Sequence, residues 1–321
     1  MATVDIILST YNRVHYLKEA VESVCLQTFQ DWELIIVNDG STDETRALID
    51  QYSQADPRIR AIHQPNAGLA RARNNGIRAA RSKYLAFLDD DDVWLNEKLE
   101  KQIAHFETHP KLGFLYSRAH VTDNQLRHLR VVPEEMYSSI EKLIEWTDWL
   151  PLSSVMVRRD CLNSAGLFDE SLDRGTDYDL WLRIVRRFPF DGLDQSLLLY
   201  RQHKDNMSAS AVKRLENHLV IFRKAIQYPE FKPFIGLIRR RKAHDLYALG
   251  RLHRQQQEYL RAAGYFFRSV LTYPFVGSFF YRYRQNKPFV FSLLKPYFAI
   301  GYCFLKTWVP ASRGETKKAA T

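Results

Sequence analysis

Tyr84-Leu-Ala-Phe-Leu-Asp-Asp-Asp-Asp92 is the stretch on which the fold turns: five largely apolar residues run straight into four consecutive carboxylates. A short apolar run closed by a polar break reads as a strand buried on both faces, the kind that parallel sheets use. In open α/β sheets, ligands bind just outside the carboxyl ends of such strands. Four like charges at one strand end repel each other and depress stability unless a cation or hydrogen-bond donors compensate them. A solvated turn at a helix N-terminus also tolerates acidic residues. The cluster by itself leaves metal binding and a plain turn evenly matched.

The residues upstream tip that balance. Val4 to Leu8 reads as a first strand ending in Ser9-Thr-Tyr-Asn12, and Leu34 to Val37 as a second ending in Asn38-Asp-Gly-Ser-Thr-Asp43. Arg60 to His63 is a short third strand. Between the first two, Leu17, Ala20, Val21, Val24 and Cys25 recur at the i, i+3, i+4, i+7, i+8 spacing of one helical face. A second helix carries Ala47, Leu48 and Tyr52 inward, with Ser41 or Thr42 as its cap. Asn66 to Gly76 opens a third, rich in small residues. Strand and helix signals in alternation imply right-handed crossovers and a parallel sheet. The polar clusters at 9–12, 38–43 and 89–92 then share one sheet edge, and that convergence marks the site.

Downstream the pattern loosens. Leu112 to Tyr116, Ser153 to Val157 and Leu197 to Tyr200 read as strands, and Leu180, Trp181, Ile184 and Val185 as the buried face of a helix opened by Asp177. After about residue 211 the chain turns helical, basic and aromatic. Ala243 to Gly250 and Tyr259 to Val270 read as one helix-turn-helix unit, a helical hairpin rather than a repeat array, since arrays need about three units.

A chain of 321 residues suggests two domains, 1–210 and 211–321. The charge divides the same way: residues 1–210 hold 25 Lys and Arg against 32 Asp and Glu, a net −7, whereas 211–321 hold 21 against 5, a net +16. Such a split argues for an acidic, cation-using part and a basic part that meets something anionic. Cys25, Cys161 and Cys303 are few and far apart, which excludes a disulfide framework or a zinc site and fits a reducing compartment. No leader-like segment and no apolar run of about 18 residues is found. The expectation is a cytoplasmic chain, peripheral at most to the inner face of the cell membrane.

Six segments carry a resemblance to a known family. They are Ile6-Ile-Leu-Ser-Thr-Tyr-Asn-Arg13, Glu33-Leu-Ile-Ile-Val-Asn-Asp-Gly-Ser-Thr-Asp43, Asn66-Ala-Gly-Leu-Ala-Arg-Ala-Arg-Asn74, Phe87-Leu-Asp-Asp-Asp-Asp92, Gly175-Thr-Asp-Tyr-Asp-Leu-Trp181 and Tyr200-Arg-Gln-His203. In this order they resemble a family 2 glycosyltransferase over the first 210 residues. Two departures are visible: Ser9 stands where the family usually has Pro, and Thr176 precedes Asp177 where Glu-Asp is common. The Gln-x-x-Arg-Trp motif and membrane helices of processive members are missing, so a single-addition enzyme is implied.

The resemblance implies a GT-A fold, an α/β, Rossmann-like and mostly parallel sheet flanked by helices, here with a C-terminal helical extension. It implies inverting transfer of a sugar from a nucleotide-sugar, most often a UDP-sugar, to a hydroxyl of a glycan or lipid-linked acceptor. Such reactions belong to cell-surface polysaccharide, glycolipid or glycoprotein glycan synthesis. Mn²⁺ or Mg²⁺ is the implied cofactor, since a divalent cation neutralises the departing diphosphate through oxygen ligands. By the motif, Asp91 touches the metal, Asp89 the ribose or a metal-bound water, and His203 completes the shell or contacts the diphosphate. Asp39 matches the acceptor of the uracil N3–H, with Tyr11 able to stack on the same base. Thr10 and Asp90 join the donor-binding group. Arg73 is a partner for diphosphate or for a carboxylate. Asp177 is the general base, while Asp179, about 200° further round the helix, faces away from it.

Two other readings stay open. A sugar-phosphate nucleotidyltransferase also pairs a parallel sheet with carboxylate-bound Mg²⁺, but carries a Gly-rich loop where this chain has Thr10-Tyr-Asn-Arg13. A non-enzymatic protein binding an anionic surface through the basic third is the second; no nucleic-acid motif accompanies that charge. The same third, with Arg239-Arg-Arg-Lys242 and the aromatic-basic stretch from Phe275 to Trp308, suggests docking on an anionic membrane.

Overall fold

A computed structural model describes residues 2–145, 150–203, 211–275 and 289–308, of which 289–293 and 308 are described by backbone alone. The chain divides into two compact units, Met1–Ala209 and Ser210–Thr321.

The first unit runs β1 (Val4–Thr10), α1 (Val14–Cys25), β2 (Trp32–Asn38), α2 (Thr45–Ala55), β3 (Ile59–His63), α3 (Leu69–Ala79), β4 (Tyr84–Asp89) and a two-residue β5 (Val93–Trp94). It continues with α4 (Lys98–Thr108), β6 (Phe114–Thr122), β7 (His128–Val132), α5 (Ile140–Glu145), β8 (Met156–Arg158), α6 (Cys161–Ala165), α7 (Thr176–Val185) and β9 (Phe190–Arg201). One sheet holds them in the order β3-β2-β1-β4-β8-β6-β9-β5, with β7 against β6. Strands β3, β2, β1 and β4 are parallel, as the alternating sequence pattern requires.

Every residue of β1 is buried, because helices cover both faces of the sheet there. Val4, Ile6 and Leu8 pack with Leu17, Ala20, Val21 and Val24 of α1 in one core cluster. On the other face α3 approaches so closely that a Cβ at Gly76 would lie 2.6 Å from Cγ2 of Ile7. Each such aliphatic residue contributes roughly 1.5–3 kcal/mol by leaving water. Register then levels the strand ends: Thr10 pairs with Asn38, and Ser9 with Asp89.

Several expectations need correction. Ala47 is exposed; the inward stripe of α2 is Thr45 and Ile49, with Leu48 and Tyr52 half-buried beside it. Neither Ser41 nor Thr42 caps that helix; the Asp43 carboxylate accepts the Thr45 N–H (3.1 Å) instead. The strand expected over 153–157 begins only at Met156, because Leu152–Ser154 forms a 3-10 turn that turns Ser153 toward the acidic cluster. Strand β9 is twelve residues long, not four, and its pairing with β6 shifts register around Arg118, which hides a simple alternation.

The second unit holds α8 (Ala211–Ala225), a 3-10 turn (Pro229–Phe234), α9 (Ile235–Gln255), α10 (Tyr259–Thr272) and α11 (Phe289–Trp308). Helices α9 and α10 form a hairpin, tight enough that a Cβ at Gly250 would lie 2.7 Å from the Phe266 ring. Asp245 is fully buried in this unit. Burial alone would raise its carboxyl, but Arg241, His218 and His244 hold it well below the usual carboxylate range. Residues 276–288 of the aromatic-basic stretch singled out above lie outside the described residues.

Candidate active site

The levelled ends of β1, β2 and β4 are joined by short-range hydrogen bonds. The loop after β1 turns at Asn12, whose φ of 52° is in the left-handed region that Asn tolerates. Its backbone N–H donates to Ser41 Oγ (2.9 Å), and its side-chain oxygen accepts the Thr42 N–H (2.7 Å). Thr10 O accepts the Asp39 N–H at 2.9 Å. Gly40, at φ 78°, must be glycine on two counts: the backbone is left-handed, and a Cβ would lie 2.5 Å from Asn66 N. Tyr11 stands 46% exposed at the rim of this edge, free to meet a planar ligand.

Asp39 is buried and already heavily engaged. Its Oδ1 accepts from Gln64 Nε2 (2.7 Å) and from the Ala67 N–H (2.8 Å), and Oδ2 accepts from the Gly68 N–H (2.9 Å). The carboxylate thus pins the segment that leads into α3.

Around the four carboxylates the compensation is unequal. Asp89 Oδ1 accepts from Arg73 Nη2 at 2.5 Å, and Arg73, itself buried, lies over the Phe168 ring. Asp91 Oδ2 accepts from Arg13 Nη1 (2.5 Å) and lies 3.0 Å from His203 Nε2. Asp92 has neutral donors: Arg201 N at 3.0 Å and Ser153 Oγ at 2.6 Å. Burial, reinforced by Asp91 and Asp89, raises Asp92 well above the carboxylate range. Asp90 lies 3.6 Å from Arg13, with Thr10 also favouring its charged form. Burial and the repulsion of Asp91 push it up to about 7.

Asp177 is the second residue of α7, which Gly175 starts from a left-handed conformation. Burial raises its carboxyl, Arg73 opposes that, and Asp89 adds to it. Asp177 therefore shares a neighbourhood with the Arg73–Asp89 pair. Asp179 is turned to Arg183 (2.9 Å), and Trp181 packs on Phe87 and Phe114 in the core.

Several positioning residues escaped the sequence reading. Arg201 donates through Nε to Asp91 O (3.0 Å), through Nη1 to Asn124 O (2.8 Å) and through Nη2 to Glu19. Tyr16 stacks on His203 at 5.0 Å and donates to Asn124 Oδ1 at 2.7 Å. Asn74 clamps the turn before α7: it accepts the Phe168 N–H and donates to Phe168 O, both at 2.9 Å. Arg13 and Arg201 lie inside quoted motifs, so their presence was visible; their partners were not.

Among the described residues no three His, Cys, Asp or Glu side chains converge as a protein-only cage. Mg²⁺ and Mn²⁺ need none: one or two carboxylates suffice when diphosphate oxygens and waters complete the shell. Asp91 with its neighbour His203, flanked by Asp89, fits that partial set.

Comparison with known proteins bears on this geometry. Residues 5–153 match the family model described as Glycosyl transferase family 2. The chain is 35% identical over 210 residues to an uncharacterized glycosyltransferase of Methanocaldococcus jannaschii, covering 63% of this chain and 72% of that one. It is 29% identical over 227 residues to TuaG of Bacillus subtilis, a glycosyltransferase named for teichuronic acid biosynthesis, covering 68% and 87%. It spans only 29% of a longer uncharacterized glycosyltransferase of Rickettsia bellii, at 34% identity over 64% of this chain. Among solved structures, S. aureus TarS 1–349 in complex with UDP-GlcNAc aligns at TM-score 0.67 and 16% identity, covering 95% and 92%. The mannosyltransferase PcManGT of Pyrobaculum calidifontis, in complex with GDP-Man and Mn²⁺, aligns at TM-score 0.60 and 17% identity, covering 96% and 87%. These structural likenesses speak for the fold alone, which is the GT-A fold with added C-terminal helices.

Proposed function

The chain belongs to glycosyl transferase family 2 and is a glycosyltransferase; from that premise we propose that it adds single sugars from a UDP-sugar to an acceptor hydroxyl with inversion at the anomeric carbon. One observation carries the reading: Asp39, the Asp89–Asp91 cluster and Asp177 converge beyond the carboxyl ends of parallel strands, where the fold binds nucleotides. The nucleotidyltransferase and non-enzymatic alternatives fall with the family assignment.

In this proposal Tyr11 stacks on the base, and Asp39 receives the uracil N3–H while holding the 64–68 segment. Thr10 and Asp90 line the donor pocket, Asp89 faces the ribose, and Arg73 reaches the diphosphate when it yields Asp89. Asp91 and His203 would hold Mn²⁺ or Mg²⁺, which would neutralise charge developing on the diphosphate. Asp177 takes the acceptor proton on the face opposite the leaving group. Burial raises its carboxyl, which makes it a stronger base than an exposed aspartate. The acceptor is a glycan or lipid-linked chain of a cell-surface polymer, in keeping with the name of TuaG. Work in the cytoplasm, at the inner face of the membrane, follows from such an acceptor; among the described residues no helix is long and apolar enough to cross a membrane.

A panel of UDP-, GDP- and dTDP-sugars, scored by thermal stabilisation and by nucleoside diphosphate release with and without Mn²⁺, tests this. A UDP-sugar should stabilise the protein only when the cation is present. Stabilisation by GDP-sugars alone would overturn the UDP assignment, and indifference to Mn²⁺ would overturn the cation role.

A further inference from the structure

The second unit carries an apolar surface with a particular composition. On α10, Leu260, Gly264, Phe267 and Leu271 follow one another at i, i+4, i+7 and i+11 and are all exposed. The opposite stripe of that helix, Ala262, Ala263 and Phe266, packs with Ala299 and Cys303 of α11. Helix α11 repeats the pattern, with Leu294, Phe298, Gly301 and Leu305 exposed at the same spacing and Tyr297, Tyr302 and Phe304 exposed beside them. Phe267, Phe298 and Leu305 are 55%, 65% and 67% exposed, large values for side chains of this size. The remaining exposed residues described on the two helices are Arg261, Arg268, Lys295, Lys306 and Thr307, and neither helix contains an acidic residue.

We propose that the exposed faces of α10 and α11 dock the enzyme on an anionic lipid surface. Aromatic and aliphatic side chains interspersed with Lys and Arg, lying on a membrane rather than through it, are the signature of interfacial helices. Lys295, Pro296 and Lys306 interrupt the apolar run of α11, as suits a helix lying in the interface. A second copy of the chain is disfavoured as the occupant, because both faces would bring like charge together. Residues 211–321 carry 21 Lys and Arg against 5 Asp and Glu. Of those five acids, Asp245 is buried and Glu258 is bound to His253 (2.6 Å) and Arg261 (3.3 Å). The complement to this unit is an extended negative surface. Docking would hold the transferase unit, through the continuous chain, beside a lipid-linked acceptor; it rests on no assumption about the sugar donor.

The test is flotation of the full chain with phosphatidylcholine vesicles, with and without phosphatidylglycerol. Co-flotation is expected only with phosphatidylglycerol and should be lost at near-molar salt. Reversing Arg261→Glu, Arg268→Glu and Lys306→Glu should weaken binding about fivefold or more per residue. Phe267→Gln with Phe298→Gln should also release the protein, while melting temperature and soluble-donor hydrolysis stay unchanged. A chain that remains at the bottom of the gradient at low salt overturns the proposal. So does flotation that survives both sets of variants, which would put the contact elsewhere. If Phe267→Gln and Phe298→Gln alter the mass by light scattering and leave flotation intact, the face joins copies of the chain and the proposal fails.

Discussion

Asp90→Asn in metal-free buffer should make the protein more stable, and increasingly so as pH rises. Asp90 is 7% exposed and pushed up to about 7, by burial first and by Asp91 second. An aspartate in the unfolded chain titrates near ~3.9, so the gap is about three units, or about 4 kcal/mol at 1.36 kcal/mol each. Because the folded pKa is the higher one, the folded state holds the proton more tightly. The penalty is absent below about pH 4, grows with pH, and is complete above about pH 7. Asn carries no charge to desolvate. The stability difference between variant and parent should therefore widen by about 2–3 kcal/mol from about pH 5 to about pH 8. Denaturant unfolding in EDTA, followed by the emission of buried Trp32, Trp94 and Trp181, measures it. Curves for parent and variant that stay parallel within about 0.5 kcal/mol over that range would refute the reasoning.

Other substitutions separate the proposed roles. Asp177→Asn should keep donor affinity and lower transfer by about 10²–10⁴, whereas transfer within about tenfold of the parent would remove it as the base. Asp91→Ala should abolish the Mn²⁺ dependence of UDP binding in calorimetry; an unchanged Mn²⁺ effect would end its metal role. Arg13→Gln, which frees the Asp91 oxygen now 2.5 Å from the guanidinium, should tighten Mn²⁺ binding to nucleotide-free protein by about fivefold or more, read by electron paramagnetic resonance. Gly40→Ala should lose about 2–4 kcal/mol and weaken UDP binding with it, since both the φ of 78° and the Asn66 backbone oppose a Cβ; a melting temperature unchanged within error would show that the loop adapts.

The parallel half of the sheet was legible because its residues repeat a simple rule. Ile6 to Leu8, Leu34 to Val37 and Leu85 to Leu88 are continuous apolar runs, and only a strand covered on both faces needs them. The later strands were harder for a physical reason. Strand β9 slips register against β6 on both sides of Arg118, so its buried positions, Leu197 and Leu198 among them, break alternation. Strand β7 begins with three exposed residues, His128, Leu129 and Arg130, and offers no pattern to read. At the site, residue types were visible and partnerships were not. Nothing in the order of residues says that Asp39 meets the backbone of Ala67 and Gly68, or that Ser153 lies between Asp89 N and Asp92. Those contacts are set by tertiary closure across 28 to 64 positions of chain.

The distribution of partners explains how four adjacent carboxylates are accommodated at one strand end. Asp89 is held by Arg73 and Asp92 by Ser153 and the Arg201 backbone, so the two outer acids anchor the strand end to α3 on one side and β9 on the other. The Asp92 anchor is fully buried, whereas the Asp89 side chain is 30% exposed beside a buried Arg73. The inner acids are different. Arg13 reaches both Asp90 (3.6 Å) and Asp91 (2.5 Å) from a side chain that is 22% exposed, and His203 lies 3.0 Å from Asp91. Burial first and Asp91 second raise the Asp90 carboxyl against Arg13, while Asp91 keeps the short contact. A cation held by Asp91, as proposed above, would relieve the repulsion between this pair.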